Sequence, residues 1–281
     1  MTTTDVSIVM PCYNDGRYIR EAIDSVRLSE HPNVEIIVID DGSDDAETKA
    51  VLSGFADKQI RVLHTAHIGP SGARNEGIRQ AAGEYILPLD ADDRIDAAYL
   101  SEAMALLKER SEVGVVYCHA ELFGEKSGCW ELPDYSFERM LVENLVFVTA
   151  MFRKADWETV GGFRTDMKEG MEDYDFFIGM LALGKTIEQL PGTYFFYRIK
   201  KKSRTTEFLR DPEAVKRAFH QIYEHHAAFY QAHAQDYAEA LRNELIQQKY
   251  EKERILHSLG VLNRIREFGP VRKFARKLLG R

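Results

Sequence analysis

The chain has 281 residues, 44% of them hydrophobic and 29% charged, with a net charge of −8. This is the composition of an ordinary globular protein, and it excludes a disordered, collagen-like or disulfide-stapled chain. No run of about 18 apolar residues is present, so no membrane-spanning helix is expected.

The three cysteines, Cys12, Cys118 and Cys129, are widely spaced and form no CxxC pair. They fit a reducing compartment better than a secreted framework. The opening MTTTDVSIVMPCYND has neither a basic stretch nor a long apolar one, so no signal peptide is expected and the chain is expected in the cytoplasm. The charge is uneven. Residues 264–281 hold seven basic residues and one acid, net +6, which leaves −14 for the rest. That balance argues against a general nucleic-acid binder.

In chain order, VSIVMPCYN predicts a short buried strand, Val6 to Met10, ended by Pro11. Ile19, Ala22, Ile23 and Val26 then recur at helical spacing. VEIIVIDDGS predicts a second strand, Val34 to Ile39, stopping at Asp40-Asp41-Gly42-Ser43. IRVLH is a third, GARNEGIRQAAG a helix closed by Gly83, and YILPLD a fourth strand running into Asp90-Ala91-Asp92-Asp93. Ala97 to Arg110 reads as helix and VGVVYCHA as strand. Further on, LVFVTAMFR and GTYFFYRI are strand-like, and MEDYDFFIGMLALGK reads as a helix closed by Gly184. From Asp211-Pro212, an N-cap and N1 pair, the pattern is helical, which places a domain boundary near Thr206–Arg210.

Apolar strands alternating with helices predict an α/β fold with a mostly parallel sheet covered on both faces. Ligands of such sheets bind beyond the carboxyl ends of the strands. Both acidic clusters and Pro11-Cys12-Tyr13-Asn14 lie at those ends, so three distant loops are expected to meet in one crevice. Clustered carboxylates there suit a hard divalent cation that also holds phosphates; they also suit a solvated loop in which Asp93 or Asp96 caps the next helix. Asp40-Asp41-Gly42 is equally a turn with an Asx cap and a carboxylate that accepts from a nucleobase N–H. GxGxxG and Walker A loops are absent. Cys12, beside the crevice, reads as core packing, and His225 and His226 as surface or packing residues.

Five segments occur in order: SIVMPCYNDGRYIREAIDSV, VEIIVIDDGSDD, GPSGARNEGIRQAAGEYILPLDADD, GGF and EDYD. Together they resemble the inverting GT-A glycosyltransferases of family 2, from about Val6 to Arg204. The resemblance implies a Rossmann-like GT-A domain over residues 1–208 and leaves 209–281 as a helical extension. It implies a nucleotide-sugar donor, most simply a UDP-sugar, with Mn²⁺ or Mg²⁺ as cofactor. Pro11 and Tyr13 would line the base pocket, Asp41 would accept from uracil, Arg74 would touch base or phosphate, Asp90 would meet ribose or sugar, and Asp92 would bind the metal. In the Glu-Asp pair that opens a helix, Asp173 would be the general base and Glu172 would help bind acceptor or donor. Asp175 is the competing base. The glycines of Gly161-Gly162-Phe163 would let backbone approach the sugar.

In YRIKKKSRT five of the seven residues from Arg198 to Arg204 are basic, which suits a flexible cover that neutralises the leaving diphosphate. The family often has a histidine after the Tyr-Arg, where this chain has Lys200 and Lys201. The expected acceptor is a glycan or lipid-linked hydroxyl, in the setting of bacterial surface-polysaccharide assembly. The tail from 264 to 281 has the pattern of a basic amphipathic helix. It would suit a peripheral contact with an anionic membrane surface, or packing on its own domain or on a twin subunit. A nucleotidyltransferase and a non-catalytic nucleotide-sugar-binding subunit are the competing readings. The first lacks its expected Gly-rich basic loop after the first strand. Intact Asp92 and Asp173 argue against the second.

Overall fold

The computed structural model describes residues 4–29, 31, 33–55, 57, 59–201 and 203–267. Its strands are β1 (Val6–Cys12), β2 (Val34–Asp40), β3 (Ile60–His64), β4 (Tyr85–Pro88), β5 (Arg94–Ile95), β6 (Val113–Gly124), β7 (Gly128–Trp130), β8 (Met151–Arg153) and β9 (Thr186–Ile199). The helices are α1 (Gly16–Arg27), α2 (Ala46–Ser53), α3 (Gly69–Gln80), α4 (Tyr99–Glu109), α5 (Phe137–Met140), α6 (Lys154–Val160), α7 (Glu172–Ala182), α8 (Arg204–Phe208), α9 (Pro212–His225), α10 (Ala227–Ala232) and α11 (Ala234–Glu267).

Among the described residues the strands form one sheet in the order β3-β2-β1-β4-β8-β6-β9-β5, with β7 paired to β6. β1 is parallel to β2 on one side and to β4 on the other, and β2 is parallel to β3. Val6, Ile8, Val9, Met10, Ile37, Val38 and Ile39 are fully buried, as strands covered on both faces require. α1 turns Ile19, Ala22, Ile23 and Val26 inward, the stripe that its spacing predicts.

Because β1 lies between β2 and β4, the chain order reverses at β1, and a crevice opens beyond the carboxyl ends of β1 and β4. Two-residue β5 pairs antiparallel with Phe195 and Phe196 of β9. It thereby clamps the acidic loop Asp90–Asp93 between two strands.

Several elements differ from expectation. α3 starts at Gly69 rather than Gly72, because Pro70 sits in its first turn, where the missing N–H costs nothing. It ends before Gly83. That glycine serves a close approach instead, since a Cβ there would lie 2.7 Å from the Ser7 backbone N. Of LVFVTAMFR only Met151–Arg153 pairs, and β9 begins six residues before GTYFFYRI because it follows β6 along most of its length.

The chain divides after Gln231, so the boundary expected between 208 and 209 falls inside the first unit. α9 is amphipathic and buries Ala214, Ala218 and Ile222, and its His225 reaches Asp175 of α7. The second unit is described as the long helix α11. No described helix is long and apolar enough to cross a membrane. The amphipathic tail expected at 264–281 lies outside the residues whose side chains are described.

Gly77 seats α3 on the sheet: a Cβ there would meet Ile39 Cδ1 and Val9 Cγ1, each at 2.6 Å. Gly77→Ala is therefore expected to cost about 1–3 kcal/mol through overpacking, measured as a lower midpoint in urea unfolding with an unchanged slope.

Candidate active site

At the β1 end, Tyr13 is exposed (42%) and its ring lies 4.2 Å from that of His67, tilted by 37°. Pro11 lies just before it in β1, half-buried. Asp40 and Asp41 are both buried but do different work. Asp40 accepts from Ser43 N (2.9 Å) and contacts His64, forming the turn. Asp41 accepts from Thr65 Oγ1 (2.6 Å), Ile68 N (2.7 Å) and Gly69 N (2.8 Å). It therefore fixes the loop entering α3 and keeps limited acceptor capacity for a base. His67 takes a left-handed φ of 56° in that loop, and its ring reaches Tyr13 there.

In the acidic loop the three carboxylates separate. Asp93 is almost fully buried and accepts from Arg198 N at 2.8 Å. Burial and the nearby Asp92 and Asp90 push its pKa well above the usual carboxylate range. Arg198 donates from Nε to the Asp92 carbonyl and lies over the rings of Tyr18 and Phe123. These contacts fix Arg198 against the acidic loop. Asp92 Oδ2 meets Lys200 Nζ at 2.8 Å, and Lys200 also contacts Asp15 at 3.1 and 3.2 Å. Burial raises the pKa of Asp92, Lys200 opposes that shift, and Asp90 adds to it.

Arg74 joins this loop to the second half of the chain. It is 4% exposed, not a surface arginine. Its Nη2 donates to Asp90 Oδ1 (2.7 Å) and its Nη1 to Glu172 Oε1 (3.0 Å). Arg204 holds Glu172 from the other side, at 2.9 Å to Oε1 and 3.2 Å to Oε2. Burial works against the ionised Glu172, but Arg74 and Arg204 outweigh it and lower its pKa.

Asp173, next along, is half-buried and accepts from its neighbour's amide, Tyr174 N, at 2.8 Å. Burial and the Glu172 carboxylate push its pKa up to about 6. Met171, immediately before α7, has a left-handed φ of 63°, a strained conformation of the kind found at functional sites.

Asp175 points elsewhere. It is 2% exposed, contacts His225 Nδ1 at 2.7 Å and His226 Nε2 at 3.3 Å, and so ties α7 to α9. His225 and His226 are half-buried partners of that carboxylate. The Gly161-Gly162-Phe163 motif also has an internal use. Asn75 donates to Phe163 O (2.7 Å) and accepts from Phe163 N (2.9 Å), and a Cβ on Gly162 would meet Asn75 Oδ1 at 2.8 Å. Gly162 thus admits the Asn75 side chain.

The structure brings Arg74, Asp90, Asp92, Glu172, Asp173 and Lys200 into one network, with Tyr13 and Asp41 at the neighbouring strand end. Lys201 is exposed. Sequence reasoning missed Asp15, Asn75 and Arg204 as individual contributors. Arg204 belonged to a recognised basic run, but Asp15 and Asn75 carry no local signal beyond their loop and helix. Cys12 is buried and its thiol is pushed up to about 12 by that burial, which makes it unreactive.

No group of three or more His, Cys, Asp or Glu among the described residues is placed to hold a metal. A divalent cation would draw one carboxylate from the protein, Asp92, and its remaining ligands from diphosphate and water. The donor set fits such an ion, which is commonly bound by one or two carboxylates together with substrate phosphates.

A family model described as glycosyl transferase family 2 matches residues 7–198. The chain belongs to glycosyltransferase family 2. An uncharacterized glycosyltransferase of Rickettsia felis is 40% identical over 116 residues, 41% of this chain and 19% of the relative. One of Rickettsia typhi is 30% identical over 234 residues, 79% of this chain and 69% of the relative. The chain thus spans about a fifth of the first relative's length. Among solved structures, S. aureus TarS 1-349 in complex with UDP-GlcNAc superposes with a TM-score of 0.62 at 19% identity, covering 84% of this chain and 79% of that one. The fold is GT-A, as the family motifs imply.

Asp173 and Asp175 of α7 are expected to respond oppositely to neutralisation. Asp173 has a folded pKa raised from 3.8 to about 6. Its stabilising contribution is present below pH 4 and is lost as pH rises to about 6. Asp173→Asn should therefore be more stable than the native protein at pH 7, by about 1–2 kcal/mol, with the gain vanishing near pH 4. Asp175→Asn weakens two histidine contacts and should cost about 1–3 kcal/mol. Urea unfolding at both pH values checks both signs.

Proposed function

We propose that the chain is an inverting glycosyltransferase that moves a sugar from a UDP-sugar to an acceptor hydroxyl on a glycan or lipid-linked saccharide. The observation that carries this reading is the Arg74 bridge. It puts the diphosphate-side loop and a carboxylate with a pKa of about 6 into one network. A group of that pKa is ionised at neutral pH yet basic enough to take a proton from a hydroxyl as it attacks.

In this reading the uracil lies against the exposed Tyr13 face, bordered by Pro11 and His67, with Asp41 as acceptor. Asp90 orients ribose or sugar. Asp173 removes the acceptor proton, the acceptor oxygen bonds to the anomeric carbon, and the bond from that carbon to the β-phosphate oxygen breaks. UDP leaves from the opposite face, so the configuration inverts. Glu172, neutralised by Arg74 and Arg204, positions the acceptor beside Asp173. Lys200 and Lys201 supply positive charge on the diphosphate side. Mn²⁺ or Mg²⁺, held by Asp92, would neutralise charge on the departing diphosphate. The TarS structure bound to UDP-GlcNAc supports a nucleotide-sugar donor.

UDP release from a panel of UDP-sugars with Mn²⁺ tests the reading. Turnover with at least one donor is expected, and Asp173→Asn should lose about 10²–10⁴-fold in kcat while binding UDP as the native protein does. A native protein that binds UDP but turns over with no acceptor would sink the enzymatic reading in favour of a binding subunit. The pH profile of kcat/KM should fall below pH about 6 as Asp173 is protonated. Glu172→Gln removes the like charge that raises Asp173, so its acid limb should move to lower pH.

A further inference from the structure

Resting on the reading of Asp92 as the metal-side carboxylate, we propose that Lys200 is a built-in cation that occupies Asp92 until a divalent metal displaces it, with Asp15 as the carboxylate to which it retreats. The ammonium lies 2.8 Å from Asp92 Oδ2 and simultaneously 3.1 and 3.2 Å from the two oxygens of Asp15. Such an arrangement is a two-station rail: losing Asp92 still leaves Lys200 a full ion pair. Lys200 is only 21% exposed, Asp92 15% and Asp15 24%, so these charges meet where solvent screens them incompletely.

The competition is chemical. A divalent ion on Asp92, at about 2.1 Å for Mg²⁺, takes lone pairs from the carboxylate that the ammonium now uses and repels that ammonium. A protonated lysine has three donors and no lone pair, so it cannot join the metal's ligand set. The lysine has to move, and Arg198 limits how far. Two residues earlier, its main-chain N–H is fixed to Asp93 and its Nε to the Asp92 carbonyl. Movement of Lys200 is thus confined to the side chain, and Asp15 is within its reach.

Two consequences follow. The donor-free protein resists metal, so metal and nucleotide diphosphate bind as a pair. Lys200 also keeps Asp92 neutralised while the site is empty, in a loop where Asp90 and Asp93 add to the repulsion.

Binding of Mn²⁺ to the full chain, followed by the electron paramagnetic resonance signal of the free ion with and without UDP, tests the proposal. Lys200→Gln is expected to tighten nucleotide-free Mn²⁺ binding by about tenfold, equivalent to about 1.4 kcal/mol. Lys200→Arg keeps a cation on Asp92 and should stay within about twofold of native. Lys201→Gln makes the same charge change on an exposed neighbour and should also stay within about twofold. Circular dichroism confirms that each variant is folded. If Lys200→Gln binds Mn²⁺ no more tightly than native, or if Lys201→Gln tightens it equally, the competition is overturned while the metal assignment stands. If neither native nor Lys200→Gln binds Mn²⁺ even with UDP, the metal assignment falls and the proposal with it. UDP binding measured by calorimetry then shows whether the donor-site reading survives.

Discussion

The active-site architecture depends on one buried guanidinium. Arg74 projects from α3 and holds Asp90 on one side and Glu172 on the other, carboxylates 82 residues apart in the chain. A buried arginine without both partners would be an uncompensated charge, and each acid without it would face strong repulsion from its neighbours. The three groups therefore specify one another's positions. The orientation of α7 relative to the acidic loop is set by charge pairing as well as by apolar packing.

From that bridge the chemistry of the adjacent groups follows. Glu172 is pulled into the ionised state by two arginines, and its own charge then lifts Asp173 next to it. A pair of consecutive acids thus acquires opposite pKa shifts from one network, the pattern by which acid and base roles are divided in active sites. Asp175, two positions further along, turns onto the other side of α7 and serves the histidines of α9. Rotation of about 100° per residue along a helix turns neighbouring carboxylates toward different partners.

The basic segment after β9 shows the same economy. Three of its cations meet acids of the protein: Arg198 pairs with Glu21, donates to the Asp92 carbonyl and lies over two rings, Lys200 sits on Asp92 and Asp15, and Arg204 sits on Glu172. An acidic crevice without ligand needs counter-charge, and this segment provides it.

Much of this was legible in the linear chain. Apolar runs stopping at Pro11, Asp40 and Asp90 announced parallel strands whose ends meet, because buried strands must be apolar and their carboxyl ends open to solvent. The ordered motifs placed Asp92, Glu172 and Asp173 at one site. Tertiary structure alone decided what each charged group does there. Local sequence cannot distinguish a helical surface arginine from Arg74, a free Asp41 from one that holds three donors, or an unpaired acid from Asp175. The difference lies in partners 16 to 98 residues away. Strand ends follow from hydrophobic patterning, which is local, whereas ionisation and pairing follow from distances that exist only after the chain has folded.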